Sequence, residues 1–401
     1  MRRVTPTCSS PIGRSSGSPW GYFRLDTVLT LLRDLIAIDS VNPSLVPGAA
    51  GEAAVAARVA GALRTAGLDV EVAEVAPGRS NVVGVLEGRA PGRSLMLCGH
   101  LDTVGVEGMA APFDPIERDG CLYGRGAQDM KGGVAAMVDA VSSLAARGML
   151  PTGRVIVAAV ADEEFASVGA EALVRERTAD GAVVTEPTDL TLATGHKGFE
   201  WVEGETRGRA AHGSRPVEGL DAILRMGRVL TRLEAIGTHL RTRPMHPLLG
   251  TASLHASTIS GGRELSVYPD YCQLRFERRT MTGEPEQVGL NEVRGVLEEL
   301  CDADPEFEAA ARPVFSRPPY EVPVDDAVCL TLAEVMRAHG LDTGPTGMTY
   351  WTDAAILGNA GIPTVLFGPG GAGLHGPEEY VDIDSVRVCR DVLKALVMEY
   401  C

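Results

Sequence analysis

The eight cysteines of this 401-residue sequence include no CxxC pair, so a disulfide framework or a cysteine-rich metal site is not expected. No hydrophobic run approaches the ~18 apolar residues that a membrane-spanning helix needs. Positive charge is also scarce, because 37 Lys and Arg stand against 53 Asp and Glu, for a net charge of −16. This balance argues against nucleic acid or a membrane as a partner and predicts a cytoplasmic protein.

The N-terminus lacks the apolar stretch of a secretory signal. Residues 1–23 are polar and rich in Ser, Pro and Gly. We interpret them as a disordered extension, or as the product of a start codon assigned too early.

Regular alternation of strand-like and helical patterns indicates the fold class of the main domain. SLMLCGH (94–100) and RVIVAAVA (154–161) are typical of buried strands, and a helical pattern over 132–147 ends near Gly148. Such alternation predicts an α/β protein with helices on both faces of a sheet. The length of the chain also favours more than one domain.

The pattern changes near Lys197, where strand, helix, two strands and helix follow one another up to about residue 303. A Pro-rich segment, ARPVFSRPPYEVP (311–323), then resembles an exit linker. We therefore predict a mixed-sheet, three-layer catalytic domain over 24–196 and 316–401. An inserted α+β sandwich (ferredoxin-like) domain is predicted over 197–315.

Charged side chains gather where the predicted strands end. His100 and Asp102 close one strand, and because residues two apart share a face, the Asp102 carboxylate can orient the imidazole of His100. Glu163 and Glu164 follow a second strand, and Glu186 follows a third. In open α/β sheets, ligands gather at the carboxyl ends of the strands.

Two glycine-rich segments imitate nucleotide-binding loops without their chemistry. In GRGAQDMKG (124–132), Asp129 stands where the last glycine of a dinucleotide fingerprint belongs, and a carboxylate would repel a pyrophosphate. Taken alone, Asp129 is better explained as the N-cap of the next helix. The loop GPGGAG (368–373) lacks the GK[ST] of a P-loop and leads to His375.

Taken together, these histidines and carboxylates form a ligand set without cysteine, which suits a divalent metal such as Zn²⁺, with Co²⁺ or Mn²⁺ as alternatives. Three ligand carboxylates (Asp129, Glu164 and Glu186) overcharge a site with one ion. Two ions and a bridging hydroxide balance the charge, and one carboxylate must then be shared. Glu163 is left over and can act as the base.

Six motifs occur together in the order and spacing of a known family: GHLDTV, GRGAQDMKGG, DEEFASVG, TEPT, GRAAHGSRP and LHGPEEYV. Over about residues 25–400 the chain resembles the two-zinc amidohydrolases and peptidases that include acetylornithine deacetylase, succinyl-diaminopimelate desuccinylase and the aminoacylases. Each motif alone is weak, whereas their joint occurrence is specific. The stretch GHKG (195–198) is most similar to the acetylornithine deacetylase branch.

This resemblance implies which residues hold each metal. Asp129 would bridge the two ions, His100 and Glu186 would bind one of them, and Glu164 and His375 would bind the other.

The resemblance also implies roles for residues that bind no metal. Glu163 would be the acid–base, and Asp102 would orient His100. His212, in AAHGS, would stabilise the oxyanion in a partner subunit's active site, and Arg279 would bind the substrate carboxylate. The domain at 197–315 would be a lid through which a homodimer forms.

The predicted function is hydrolysis of the amide bond of a small N-acyl amino acid by a bridging hydroxide, as in acetylornithine deacetylase or succinyl-diaminopimelate desuccinylase. One alternative is a dipeptidase or carboxypeptidase that acts on short peptides with the same scaffold. A second is a non-catalytic metal-binding relative, although every expected ligand is present.

Overall fold

The computed structural model describes residues 26–401, so the predicted extension over 1–23 lies outside the described residues. The described chain forms two compact units. The first comprises residues up to Thr194 together with 322–346 and 352–401, and the second comprises 195–321 and 347–351. None of the helices within 26–401 has the length and apolar composition required to cross a membrane.

Nine α-helices occur within residues 26–401, and a single irregular turn, Ala127–Lys131, directly precedes the third. They are α1 (Thr27–Ile36), α2 (Ala53–Thr65), α3 (Gly132–Ala145), α4 (Val168–Glu176), α5 (Ala222–Thr242), α6 (Val288–Ala303), α7 (Ala327–Ala338), α8 (Ala354–Asn359) and α9 (Ile383–Tyr400).

The same residues contain seventeen strands, most of them short. They are β1 (Asp69–Ala76), β2 (Arg79–Glu87), β3 (Ser94–His100), β4 (Ile116–Arg118), β5 (Cys121–Tyr123), β6 (Arg154–Val160), β7 (Gly181–Val184), β8 (Ala193–His196), β9 (Gly198–Arg207), β10 (Ser253–Gly261), β11 (Tyr271–Thr280), β12 (Glu308–Arg317), β13 (Tyr320–Glu321), β14 (Thr346–Met348), β15 (Thr364–Leu366), β16 (Gly371–Ala372) and β17 (Tyr380–Asp382).

The sheet of the first unit has the strand order β1-β2-β6-β3-β7-β15-β8. β1, β2 and β6 pair antiparallel, whereas β3 pairs parallel with both β6 and β7, and β7 pairs parallel with β15. Leu95, Met96 and Leu97 of β3 are fully buried, and burial of each such side chain contributes about 1.5–3 kcal/mol. The predicted α/β class with a mixed sheet is confirmed.

The four parallel strands β3, β6, β7 and β15 end at the same edge of the sheet. The chain leaves this edge at His100, Ala161, Thr185 and Phe367. Residues far apart in sequence are therefore brought together by strand direction alone.

A small sheet of the first unit, with the order β16-β17-β5-β4, was not predicted. Its strands are two or three residues long, too short for a readable hydrophobic period. β5 pairs antiparallel with β17, with Tyr123 opposite Tyr380. This pairing places the turn after β5 beside the segment that precedes β17.

The second unit contains a four-stranded antiparallel sheet of order β10-β11-β9-β12. Alternate residues of its strands, such as Val202, Leu274 and Phe276, share a buried cluster with Val229 of α5 and Leu290 of α6. α5 and α6 therefore cover one face of the sheet, because a strand with period-two burial needs an apolar partner on only one side.

The interpretation of 311–323 as a linker is wrong, because β12 (Glu308–Arg317) completes this sheet as an edge strand. The register of β12 shifts between Pro313 and Phe315. Proline cannot donate to a strand ladder and is tolerated at an edge or a bulge, and here it occupies both. The short strand β13 follows, and it pairs with Gly195 and His196.

Candidate metal centre

Five side chains of the first unit form two groups that share one carboxylate. The first group is His100, Asp129 and Glu186, and the second is Asp129, Glu164 and His375. Within each group the ligand atoms all lie within 4.8 Å of one another. All five predicted metal ligands are thus brought together in the first unit.

His100 and Glu186 lie close together because β3 and β7 pair in parallel and end at the same edge of the sheet. Nε2 of His100 lies 3.0 Å from Oδ1 of Asp129 and 3.9 Å from Oε1 of Glu186. Both His100 and Glu186 are buried. This first group therefore offers one imidazole nitrogen and two carboxylates in a desolvated position.

His375 and Glu164 lie on the other side of Asp129. Nε2 of His375 is 3.2 Å from Oδ2 of Asp129 and 3.2 Å from Oε2 of Glu164. His375 is half-exposed, whereas the Glu164 side chain is buried. Each carboxylate oxygen of Asp129 thus faces a different imidazole.

The charges in this cluster shift the pKa values of its members. Hydrogen bonds with Asp129 and Glu164 raise the pKa of His375 to about 10. Burial and the charge of Asp129 raise the pKa of Glu164 to about 7. Burial opposes ionisation of Asp129, but hydrogen bonds with the two imidazoles hold its pKa below the usual range. Without a cation, protonated imidazoles therefore balance the carboxylates.

Glu163 lies among the same charges without belonging to either ligand group. Burial raises its pKa well above the ordinary value, and the carboxylates of Glu186 and Asp353 raise it further, against the lowering effect of His100. Asp353 also raises the pKa of Glu186 after the larger effects of burial and Asp129. Sequence reasoning missed Asp353, because nothing in its local pattern links it to the site.

The predicted pairing of Asp102 with His100 takes a different form. Nδ1 of His100 lies 3.0 Å from the main-chain carbonyl oxygen of Asp102 and 3.7 Å from its carboxylate Oδ1. The carboxylate instead accepts the main-chain N–H groups of Glu163 and Glu164, each at 3.1 Å. Asp102 thus contacts the buried imidazole of His100 through its main-chain carbonyl oxygen. Its carboxylate contacts the main chain of Glu163 and Glu164.

Asp162 is buried, and its carboxylate accepts the N–H of Val168 at the start of α4. It also accepts hydrogen bonds from Asn42 at 3.0 Å and Arg79 at 2.9 Å. The Asp162 backbone lies in the left-handed region, with φ of 73°. The third carboxylate of the DEE run therefore fixes the turn that carries the other two.

Two further residues link this turn to the rest of the first unit. Arg79 pairs with the buried Glu52, and the same Glu52 accepts the main-chain N–H of Asp162 at 3.1 Å. Asn42 also donates to the Asp102 carboxylate at 2.8 Å. No single-sequence signal identifies these contacts, since the partners lie 27 to 120 positions apart.

His212 and Arg279 belong to the second unit. The imidazole of His212 is exposed, with Nδ1 2.8 Å from the hydroxyl oxygen of Ser214. Arg279 donates from Nε to Glu277 at 2.7 Å and lies over the ring of Phe199. Their implied roles in oxyanion and substrate binding stay predictions.

The five side chains fit divalent cations in composition and electrostatics. They supply imidazole nitrogen and carboxylate oxygen without sulfur, the donors that Zn²⁺ and similar ions accept. Oε1 of Glu164 is buried and has no hydrogen-bond partner among residues 26–401. A buried carboxylate oxygen without a donor is costly, and a cation would satisfy it.

Comparison with known proteins gives a family match and a similar relative. The model of peptidase family M20/M25/M40 matches residues 96–399. An acetylornithine deacetylase of Myxococcus xanthus is 34% identical over 332 residues, which cover 80% of this chain and 84% of that protein.

Solved structures share the fold at lower identity. A tripeptidase from Staphylococcus aureus has a TM-score of 0.78 at 22% identity, covering 94% of this chain and 99% of that one. A dinuclear metal-binding peptidase of family M20 from Bacillus subtilis has a TM-score of 0.71 at 16% identity, covering 93% and 98%.

Proposed function

The chain is a member of peptidase family M20/M25/M40, and from that membership we propose that it hydrolyses the amide bond of a small N-acyl amino acid. The observation that carries the proposal is the pair of ligand groups that share Asp129, with Glu163 beside them. This arrangement supports a two-metal hydrolase more than it supports a binding protein, since a buried carboxylate outside the ligand groups is available to act as an acid–base.

The proposed centre holds two divalent ions, Zn²⁺ first among them, with Asp129 between them. His100 and Glu186 would hold one ion, and Glu164 and His375 the other. When bound, such ions polarise a carbonyl group and lower the pKa of a water molecule to near neutrality. Cation binding would also displace the protons that the raised pKa values keep on the two histidines.

Glu163 is the proposed acid–base. It is not a member of either ligand group, yet its pKa responds to His100 and Glu186, which places it within the field of the site. A carboxylate in this position accepts a proton from the attacking water and delivers it to the leaving nitrogen. The raised pKa favours the second of these steps, because it stabilises the protonated form.

Asp102 is proposed as a positioning residue for this acid–base. Its two carboxylate oxygens accept the N–H groups of Glu163 and Glu164 separately. Such a pair of bonds fixes the orientation of the turn that carries both glutamates. The buried Asn42 donates to the same carboxylate and restrains it in turn.

The proposed substrate class is the acetylated amino acid, because the Myxococcus xanthus relative is an acetylornithine deacetylase. A peptidase is the second candidate, favoured by the likeness in fold to the Staphylococcus aureus tripeptidase. The deciding experiment measures kcat/KM of Co²⁺- and Zn²⁺-loaded protein on N-acetyl, N-formyl, N-succinyl and N-carbamoyl amino acids and on di- and tripeptides. Faster cleavage of peptides than of every acyl amino acid would reject the first candidate.

We also propose a homodimer that forms through the second unit. β10 is an edge strand, and its free edge pairs with no strand of residues 26–401. Exposed apolar side chains accompany it, among them Leu224, Ile259 and Leu265. A long exposed edge strand with apolar neighbours promotes aggregation unless another chain covers it. A second copy of this chain would bury the free edge of β10 and the apolar side chains near it.

A cytoplasmic location is proposed on the basis of cysteine chemistry. No disulfide joins the cysteines of residues 26–401, and five of those cysteines are buried. Thiols without disulfides are typical of a reducing compartment.

A further inference from the structure

Glu379 is a buried acid four residues after His375, and no ligand group includes it. Its side chain is 1% exposed and pairs with Arg125, which is 2% exposed, at 2.6 Å. A carboxylate buried this deeply needs several donors. The donors that bond to Glu379 indicate the role of its side chain.

Three of those donors are main-chain N–H groups of the turn that carries the shared ligand. Oε2 accepts the N–H of Gly126 at 3.0 Å, and Oε1 accepts the N–H groups of Gln128 at 2.9 Å and Asp129 at 3.1 Å. Together with Arg125, these bonds occupy about four acceptor positions, which is the capacity of a carboxylate. Glu379 is therefore saturated by the turn and has no oxygen to spare for a metal.

The same pair of residues joins the turn to the His375 segment. Arg125 donates to the carbonyl oxygens of Gly376 at 3.2 Å and Gly105 at 3.0 Å. The N–H of Gly124 donates to the carbonyl oxygen of Glu379 at 3.1 Å. Two segments that lie 246 positions apart, measured from Asp129 to His375, are thus bound to each other beside the metal ligands.

We propose that Glu379 is a positioning residue of the metal centre, which holds the carboxylate of Asp129 at the correct distance from His375. The inference rests on the proposed two-metal site and deepens it. A bridging carboxylate must direct its two oxygens to two ions at once, so a small rotation of the turn weakens both bonds. Outer partners of metal ligands commonly change metal affinity 10–100-fold.

Glu379→Gln is the sharpest variant, because it keeps the shape and reverses the polarity of one oxygen. The new amide N–H₂ group would face either Arg125 and Gly126 or Gln128 and Asp129, and all of these are donors. Two donors directed at each other cannot bond, so the turn must move. Asp139→Asn is the matched control, since Asp139 is also a buried carboxylate but pairs with Arg390 on α9.

The experiment titrates the metal-free full-length proteins with Co²⁺, recording binding by calorimetry and site geometry by the visible absorption of the bound ion. Wild type and Asp139→Asn should bind two ions with the same spectrum. Glu379→Gln should bind Co²⁺ at least about tenfold more weakly, with altered absorption bands. Unchanged affinity and unchanged bands in Glu379→Gln overturn the inference, even if turnover or thermal stability falls.

Glu379→Asp is the second variant, for the case in which Glu379→Gln does not fold. It keeps the charge but shortens the side chain, so it cannot reach all four donors. Weaker Co²⁺ binding in the folded protein supports the inference, and wild-type binding overturns it. If wild type itself binds no Co²⁺, the proposed two-metal function fails together with the inference. Two ions bound with the same affinity in wild type and in both Glu379 variants reject only the inference.

Discussion

Nε2 of His375 lies 3.2 Å from Oδ2 of Asp129, although 246 positions separate the two residues in the chain. The opposite oxygen of the same carboxylate lies 3.0 Å from Nε2 of His100. Asp129 is therefore the point at which both halves of the candidate centre meet, and a change there should affect both.

Asp129→Asn should bind fewer than two metal ions per chain. An amide offers one neutral oxygen and one N–H₂ group, and it cannot direct an anionic oxygen to each of two ions. Metal content after dialysis, measured by inductively coupled plasma mass spectrometry, tests this expectation. Asp139→Asn serves as the control, and two ions in Asp129→Asn would contradict the shared-ligand assignment.

Glu163→Gln should retain both metal ions yet lose turnover by about 10²–10⁴-fold, the usual contribution of a general acid–base. The amide has nearly the same shape, but it neither accepts nor delivers the proton. Metal content and kcat on the best acyl amino acid are measured side by side. A variant that loses metal as well would show that Glu163 is a ligand instead.

Asp102→Asn should lower kcat by about 10–100-fold through misplacement of the Glu163–Glu164 turn. The new N–H₂ group must face one of the two main-chain N–H groups that the carboxylate now accepts. Asn42→Ala is the comparison variant, because it removes one donor and leaves both of these bonds in place. Equal losses in the two variants would argue against the special role of Asp102.

His196 should make the unfolding free energy depend on pH in the acidic range. Burial lowers the pKa of this imidazole from 6.5 to about 4, so the unfolded chain binds its proton more readily than the folded chain. The contribution is complete above a pH of about 6.5 and is lost as the pH falls to about 4, by about 3 kcal/mol in all.

Urea unfolding of metal-free wild type and His196→Gln across this range measures the difference in slope. His239→Gln, a change on the exposed surface of α5, should keep the wild-type profile. Parallel profiles for wild type and His196→Gln would contradict the assignment.

Ile259→Lys should convert the proposed dimer to a monomer, because it places a charge on the free edge strand β10. Analytical ultracentrifugation measures the assembly state, and thermal unfolding reports whether each monomer stays folded. Leu330→Lys, at an exposed leucine of α7, is the matched control and should remain a dimer. A monomeric wild type would reject the proposal directly.

The clustering of the five ligand side chains could be predicted because it depends on strand direction. His100, Glu164 and Glu186 each follow a strand whose apolar run is readable, and the parallel ends of those strands meet. β12 could not be predicted, because Pro313 made the sequence of this edge strand resemble a linker. The small sheet was not predicted, because its strands of two or three residues are too short to show a hydrophobic period.

The contacts around the ligands were equally invisible to sequence reasoning. The carboxylate of Asp102 looked suited to His100, whereas it accepts two main-chain N–H groups whose positions depend on the turn itself. The motif LHGPEEYV contains Glu379 but does not reveal its role, because its partners include backbone atoms of a segment some 250 positions earlier. The type of a side chain therefore predicts a metal ligand better than it predicts a residue that positions a turn by accepting main-chain hydrogen bonds.

The strand order has a consequence for how the chain is made. β15 lies between β7 and β8, although it is synthesised about 170 residues after them, and His375 emerges later still. A ribosome-bound chain that has reached residue 350 already contains His100, Asp129, Glu164 and Glu186, yet it lacks a central strand and one imidazole. The centre therefore matures only after residue 375 has been synthesised, and a stop before that position would leave its ligand set incomplete.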